Sequence, residues 1–245
     1  MNKGSHMGAI TFSLDSKLVE AIKKTLQPTV FFETGTYKGD TVYNQIKNFN
    51  KIISVELAHD LWSTACKRFE QYQHIEIIHG DSPKVLEDCY SRISGESVLY
   101  WLDAHWCVAL GTAGEKSQCP LLKELSAIKE LNENSVILID DARLFLAPPL
   151  APHEITEWPQ FHDIIKHLYA LSTEHEMMVV NDIIIYYPIK LKDDIINYAQ
   201  HCGVDWLNIG HYAEEIINLK KICEERLELI ERLHQECARL SENIN

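Results

Sequence analysis

Two apolar runs in the 245-residue chain stop on acids: VLYWLDAHW, residues 98–106, reaches Asp103 with His105 two residues on, and VILIDDARLF, residues 136–145, reaches Asp140 and Asp141. Adjacent carboxylates repel, and an unpaired buried charge is costly, so the chain must supply a cation, a proton or water at this point. If the two runs are neighbouring parallel strands, Asp103, Asp140 and Asp141 converge at one sheet edge. A hard divalent ion such as Mg²⁺, which takes oxygen ligands and keeps positions open for a substrate oxygen, would balance them. The local alternatives are that Asp140 or Asp141 caps the next helix or pairs with Arg143. In an extended chain His105 points the same way as Asp103. Its neutral imidazole could accept a hydroxyl proton, or it could simply be bonded to a neighbouring carboxylate. His105, Cys107 and Cys119 match no zinc-ligand spacing.

A second kind of chemistry sits earlier. FFETGTYKGDT, residues 31–41, follows an apolar run and precedes a helical pattern, and its glycines let the backbone turn sharply beside a ligand. The spacing departs from GxGxxG. KIISVE ends on Glu56, where a carboxylate can accept both hydroxyls of a ribose, and HGDS sets Asp81 and Ser82 at the same edge, within reach of an adenine.

The elements that must hold these residues read as alternating strands and helices. Strand patterns fall at 30–32, 52–55, 75–78, 98–102 and 136–139, and helix patterns at 16–26, 41–47, 60–72, 83–93, 120–131 and 158–171. This alternation predicts an α/β fold with a mostly parallel sheet covered on both faces. EHEMMVVNDIIIYYP adds two strands joined at Asn181-Asp182, a tight hairpin turn, and Asp193 to Cys202 reads as a helix capped by Gly203. Two segments lack periodicity, Trp106 to Pro120 with its GTAGE and the proline-rich 145–159. Both are expected to form loops over the site, with Arg143, His153, Trp158 and His162 as candidate acceptor contacts.

On these residues the chain resembles the class I S-adenosylmethionine-dependent methyltransferases. Glu33-Thr34-Gly35-Thr36-Tyr37-Lys38-Gly39-Asp40-Thr41 is similar to the ExGxYxGxS/T loop of the catechol O-methyltransferase-like enzymes, and Glu56 matches their second-strand acid. The resemblance, which spans residues 15 to 190, implies a Rossmann-like, seven-stranded, mostly parallel sheet ending in an antiparallel hairpin. It implies S-adenosylmethionine as cofactor, bound by Glu33, Gly35, Thr36, Tyr37, Gly39, Thr41, Glu56, Asp81, Ser82 and Asp103. Glu33 and Gly35 would lie near its methionine part, Glu56 at the ribose, and Asp81 with Ser82 at the adenine. The catechol and macrocin O-methyltransferase types hold Mg²⁺ with acids at the positions of Asp103, Asp140 and Asp141, the catechol type with Asn in place of Asp141. The catechol enzymes carry a lysine base slightly further along, where this chain has Cys107 and Val108. That departure disfavours a phenol and makes His105 the expected base. The DAHW and IDDAR pairing is similar to bacterial methyltransferases of glycan and secondary-metabolite assembly, so the expected acceptor is a hydroxyl of a glycan or glycosylated small molecule.

The rest of the chain bounds this reading. Residues 1–6 resemble an expression-tag remnant, with residues 7–210 as the methyltransferase domain and 211–245 as a C-terminal helix. From Tyr212 to Leu240 apolar residues recur at Ile216, Leu219, Cys223, Leu227, Ile230, Leu233, Cys237 and Leu240, with Arg226 and His234 interrupting a strict heptad. This stripe either packs back on the domain, joins subunits as a short coiled coil, or leads to a further domain. A non-catalytic scaffolding module assembled through that helix is the alternative to an enzyme. The net charge of −13 disfavours nucleic acid as the main partner. No run of 18 apolar residues suggests a membrane span, and an odd count of seven cysteines without a CxxC pair suggests reduced thiols and a cytoplasmic location.

Overall fold

The computed structural model describes residues 14–106 and 117–242. The remnant at 1–6, Cys107, Val108, the GTAGE stretch and the side chain of Leu240 lie outside the described residues. The chain divides after Gly203 into two compact units.

In the first unit the strands are β1 (Val30–Thr34), β2 (Lys51–Glu56), β3 (Ile75–His79), β4 (Val98–Leu102), β5 (Val136–Ile139), β6 (His175–Val180) and β7 (Ile183–Pro188). They form one sheet in the order β3-β2-β1-β4-β5-β7-β6. The pairs β2·β3, β1·β2, β1·β4 and β4·β5 are parallel, and β7 runs antiparallel to both β5 and β6. The expected terminal hairpin is therefore present, with its second strand inserted between β5 and the edge strand. Asn181 and Asp182 both take positive φ, 52° and 70°, the conformation a two-residue hairpin turn demands.

The helices are α1 (Ser16–Thr25), α2 (Asp40–Gln45), α3 (His59–Phe69), α4 (Ser82–Ile93), α5 (Leu121–Ala127), α6 (Arg143–Leu146), α7 (Phe161–Leu171) and α8 (Lys192–Cys202). The central strands are apolar at consecutive positions because both faces are covered. Phe32, Tyr100, Ile137 and Ile139 pack with α4, α5 and α7 on one face. Phe31, Leu99, Trp101 and Leu138 pack with α1 and α8 on the other. Each fully buried side chain of this size contributes about 1.5–3 kcal/mol by leaving water, so the sheet edge bearing the acids is fixed by a rigid core.

Several helix limits differ from the sequence expectation, among them the end of α3 at Phe69 rather than Tyr72. Helix α7 starts at Phe161 rather than Trp158, because Pro159 forces the residue before it out of the helical region, and Trp158 is extended (φ −108°, ψ 131°). Helix α5 stops at Ala127, short of Leu131. Gly203 does follow α8 but with φ −65°. Glycine is required there by close approach, since a Cβ would lie 2.2 Å from the Ala199 carbonyl oxygen. The second unit holds α9 (Trp206–Glu242), 37 residues and roughly 55 Å long at 1.5 Å per residue, which begins ahead of residue 211.

Candidate active site

The C-terminal ends of β1, β2, β3, β4 and β5 open into one cleft lined by Gly35, Thr36, Tyr37, Thr41, Glu56, Asp81, Ser82, Asp103, His105, Asp140 and Asp141. Ligands of open α/β sheets bind at this edge. Hydrogen bonds that continue the strand ladders hold it: Asp103 N–H donates to the Thr34 carbonyl (3.1 Å), Asp140 N–H to Leu102 (3.2 Å), and Gly80 N–H to Glu56 (3.0 Å).

The glycine turn is pressed against β4. Gly35 has φ 84°, and a Cβ there would lie 2.2 Å from the Asp103 carbonyl oxygen, so no larger residue fits. Glu56, 7% exposed, accepts the backbone N–H of Tyr37 on one carboxylate oxygen (2.7 Å) and that of Ala58 on the other (2.8 Å). Its orientation is thereby fixed at the cleft wall, with lone pairs left to accept further donors.

Two residues expected to touch the cofactor do not line the cleft. Glu33 is 1% exposed and turns beneath the loop, where it accepts the Ser54 hydroxyl. Burial pushes its pKa up to about 8 against the bonds from Ser54 and Thr41, with the Glu56 charge adding to the rise. The acid is a largely neutral strut under the turn. Gly39 (φ 77°) begins α2, and a Cβ there would meet the Phe69 ring at 2.7 Å. Ser82 does line the cleft, but its hydroxyl is given to Glu124.

At the other end, Asp103, His105 and Asp141 bring one ligand atom each within 4.8 Å of one another. His105 Nε2 lies 2.7 Å from Asp141 Oδ2 and 3.7 Å from Asp103 Oδ1. Asp140 lines the same cleft without joining this group, and its carboxylate accepts the Asp141 N–H (2.8 Å). Asp141 has φ 53°, a conformation uncommon for a non-glycine residue and found at functional turns.

The hairpin tip holds that turn. Ala142 N–H donates to the Asp182 carbonyl (2.7 Å) and Arg143 N–H to the Asp182 carboxylate (2.7 Å). The Arg143 guanidinium bridges Asp182 and Asp141. The pairing with Arg143 foreseen as a local alternative thus exists alongside the cluster.

The charges of this end are strongly coupled. Burial and the neighbouring Asp141 raise the Asp140 carboxyl to about 7. Burial would also raise Asp141, but His105 and Arg143 outweigh it and hold that carboxyl low. Burial opposes the charged form of His105, yet the bond to Asp141 and the charges of Asp141, Asp140 and Glu124 lift its pKa above the ordinary 6.5.

The four candidate acceptor contacts stand off the cleft wall. Trp158 is 6% exposed. Its ring packs edge-on against His105 and tilted against Phe145, with its N–H on Gln118 Oε1 (3.0 Å), so it offers no open face for stacking. Arg143 is engaged by two acids. His153 lies edge-on to Trp106 and Trp158, and its Nδ1 is buried without a hydrogen-bond partner among the described residues. His162 is exposed on α7.

Sequence reasoning missed Gln118, Glu124 and Asp182. Gln118 accepts Trp106 N–H on its carbonyl and Glu154 N–H on its side chain, tying the exit of β4 to the proline-rich segment. Glu124 is buried against Ser82 and is pushed up to about 7 by burial, opposed by its bonds to Ser82 and Thr34. An acid on the Leu121, Leu125, Ile128 face of a helix was a legible signal of burial.

No family model matches the chain, and no curated protein matches it. Solved structures do resemble it. They include the methyltransferase domain of bacterial CtHen1 (14% identity, 69% of this chain and 95% of that one, TM-score 0.44). Others are a Streptococcus mutans protein in complex with SAH (9%, 70% and 96%, 0.48) and the N-methyltransferase NodS of Bradyrhizobium japonicum WM9 (10%, 70% and 90%, 0.42).

Proposed function

We propose that the chain is an S-adenosylmethionine-dependent, Mg²⁺-dependent O-methyltransferase acting on a hydroxyl of a glycan or glycosylated small molecule. The observation that carries this reading is that one cleft is walled at one end by the Gly35 turn and Glu56 and at the other by Asp103, His105, Asp140 and Asp141.

Asp103, Asp140 and Asp141 offer the carboxylate oxygens that Mg²⁺ prefers, and a bound cation would offset the burial and the Asp141 charge that raise the Asp140 carboxyl. The three acids would hold the ion. An imidazole ligand suits softer divalent metals better, which favours keeping His105 as the base. When bound, the metal would polarise the acceptor hydroxyl and the cofactor would supply the methyl group.

The chain's own residues do the rest. Glu56, oriented by two backbone amides, would accept the ribose hydroxyls, and Asp81 would face the base. Gly35, Thr36, Tyr37 and Thr41 would let the backbone approach the methionine end. His105 would act from the neutral tautomer that carries its proton on Nδ1, in which Nε2 no longer donates to Asp141 and can take the hydroxyl proton. Asp141 would then stabilise the imidazolium, while Phe145 and Trp158 keep water from its flank.

The test is to incubate the protein with S-adenosylmethionine, Mg²⁺ and parallel sets of saccharide and catechol acceptors, and to read S-adenosylhomocysteine release and acceptor mass. Saccharide methylation that EDTA stops and Mg²⁺ restores is expected. Transfer to catechols alone would contradict the acceptor assignment, and transfer indifferent to EDTA would contradict the metal.

A further inference from the structure

We infer that α9 is one strand of a parallel, in-register, two-stranded coiled coil whose partner is a second copy of this chain. A single helix of 37 residues has no core of its own, so its apolar stripe needs a cover. The stripe keeps a seven-residue period over four heptads. Ile209, Ile216, Cys223, Ile230 and Cys237 occupy one seam position, and Tyr212, Leu219 and Leu233 the other, with Arg226 as the exception.

An ideal helix drifts by about 20° per heptad against such a repeat, so over this length the stripe would wind away from any fixed globular face. A partner helix that supercoils with it follows the stripe throughout. Isoleucine at the first seam position with leucine at the second favours two parallel strands.

Flanking charges select the orientation. In the parallel register the residue before the first seam position faces the residue after the second seam position on the other helix, five residues on. Glu215 then meets Lys220 of the second copy, and Ile222 meets Leu227. Reversing one helix with the seam fully overlapped would instead set Glu215 against Glu236, a like-charge pair. Arg226 is a cost within the seam, reduced where its aliphatic stem lies along Ile222 and Leu227. A single polar seam residue of this kind fixes register at the expense of stability.

The register carries a covalent consequence: Cys223 faces Cys223 of the second copy, and Cys237 faces its own counterpart. The experiment uses the full chain. Light scattering should give about twice 28.2 kDa. Diamide, which takes up the two hydrogens lost by two thiols, should join the copies through a Cys223–Cys223 disulfide identified by peptide mass. The crosslink should vanish in the Cys223→Ser, Cys237→Ser double variant.

Ile216→Glu with Ile230→Glu should return the mass to 28.2 kDa while the first unit still unfolds at its original temperature. Arg226→Leu should raise the temperature at which the helix melts. A monomeric or trimeric natural chain, a dimer lacking the Cys223 crosslink, a mass unchanged by the two glutamates, or a lower melting temperature for Arg226→Leu would overturn the inference.

Discussion

At the β1–β2 end of the sheet edge, the protein answers its own acids: Glu33 is buried on Ser54 and held neutral, and Glu56 is gripped by two backbone amides. At the β4–β5 end, Asp103, Asp140 and Asp141 crowd one cleft wall against Arg143 and a histidine. The same strand-end geometry therefore makes two different objects. Fixed neutral donors turn a carboxylate into a positioned acceptor, suited to hydroxyl groups. At the other end, burial and the Asp141 charge raise the Asp140 carboxyl, and on the proposed reading these crowded carboxylates would take up a cation.

Substitutions can break this contrast from either side. The largest effect is expected at the acidic end, where Asp140→Ala should lower methyl transfer on the order of 100-fold by weakening metal binding. Calorimetry should still find S-adenosylhomocysteine binding within about threefold, and an equal loss of both would erase the separation of roles.

At the other end Gly35→Ala should cost about 2–4 kcal/mol in urea unfolding, from the strained φ and the clash with β4. A variant as stable as the natural chain would show that the turn is not wedged there.

Glu33 sharpens the comparison through pH. Its folded pKa of about 8 exceeds the ordinary 4.5, so the stabilisation from keeping it neutral is complete below the lower value and is lost as pH rises through the higher one. Thermal midpoints between about pH 6 and pH 9 should fall in the natural chain and stay flatter in Glu33→Gln; parallel profiles would contradict a buried neutral acid. The smallest effect belongs to Trp158→Phe, which loses the bond to Gln118 and part of the ring packing on His105 and Phe145 and should cost about 1–2 kcal/mol. If acceptor KM changed much more than stability, Trp158 would be a contact after all.

Much of the fold was legible because strand and helix periods alternate cleanly, and β4 and β5 are bounded as their apolar runs indicate. The site was legible wherever a residue lies at a strand end, since the sheet alone places it: Gly35, Glu56, Asp103 and Asp141 are of this kind. It was illegible where side-chain partners decide. Nothing in the local sequence says that Glu33 turns inward, that Ser82 is spent on Glu124, or that Asp182 reaches back across 39 residues to Arg143. Trp158 misled for the same reason: a tryptophan in a proline-rich segment gives no sign of whether its ring faces a ligand or, as here, His105 and Phe145.

The measurement that bears most directly on the account is a calorimetric titration of S-adenosylhomocysteine into the natural chain and into Glu56→Ala, each with and without Mg²⁺. The account predicts micromolar binding that Mg²⁺ leaves nearly unchanged and that Glu56→Ala weakens by at least about tenfold, the loss of two charge-assisted hydrogen bonds. Absence of binding to the natural chain in both conditions, or equal binding to both proteins, would contradict it.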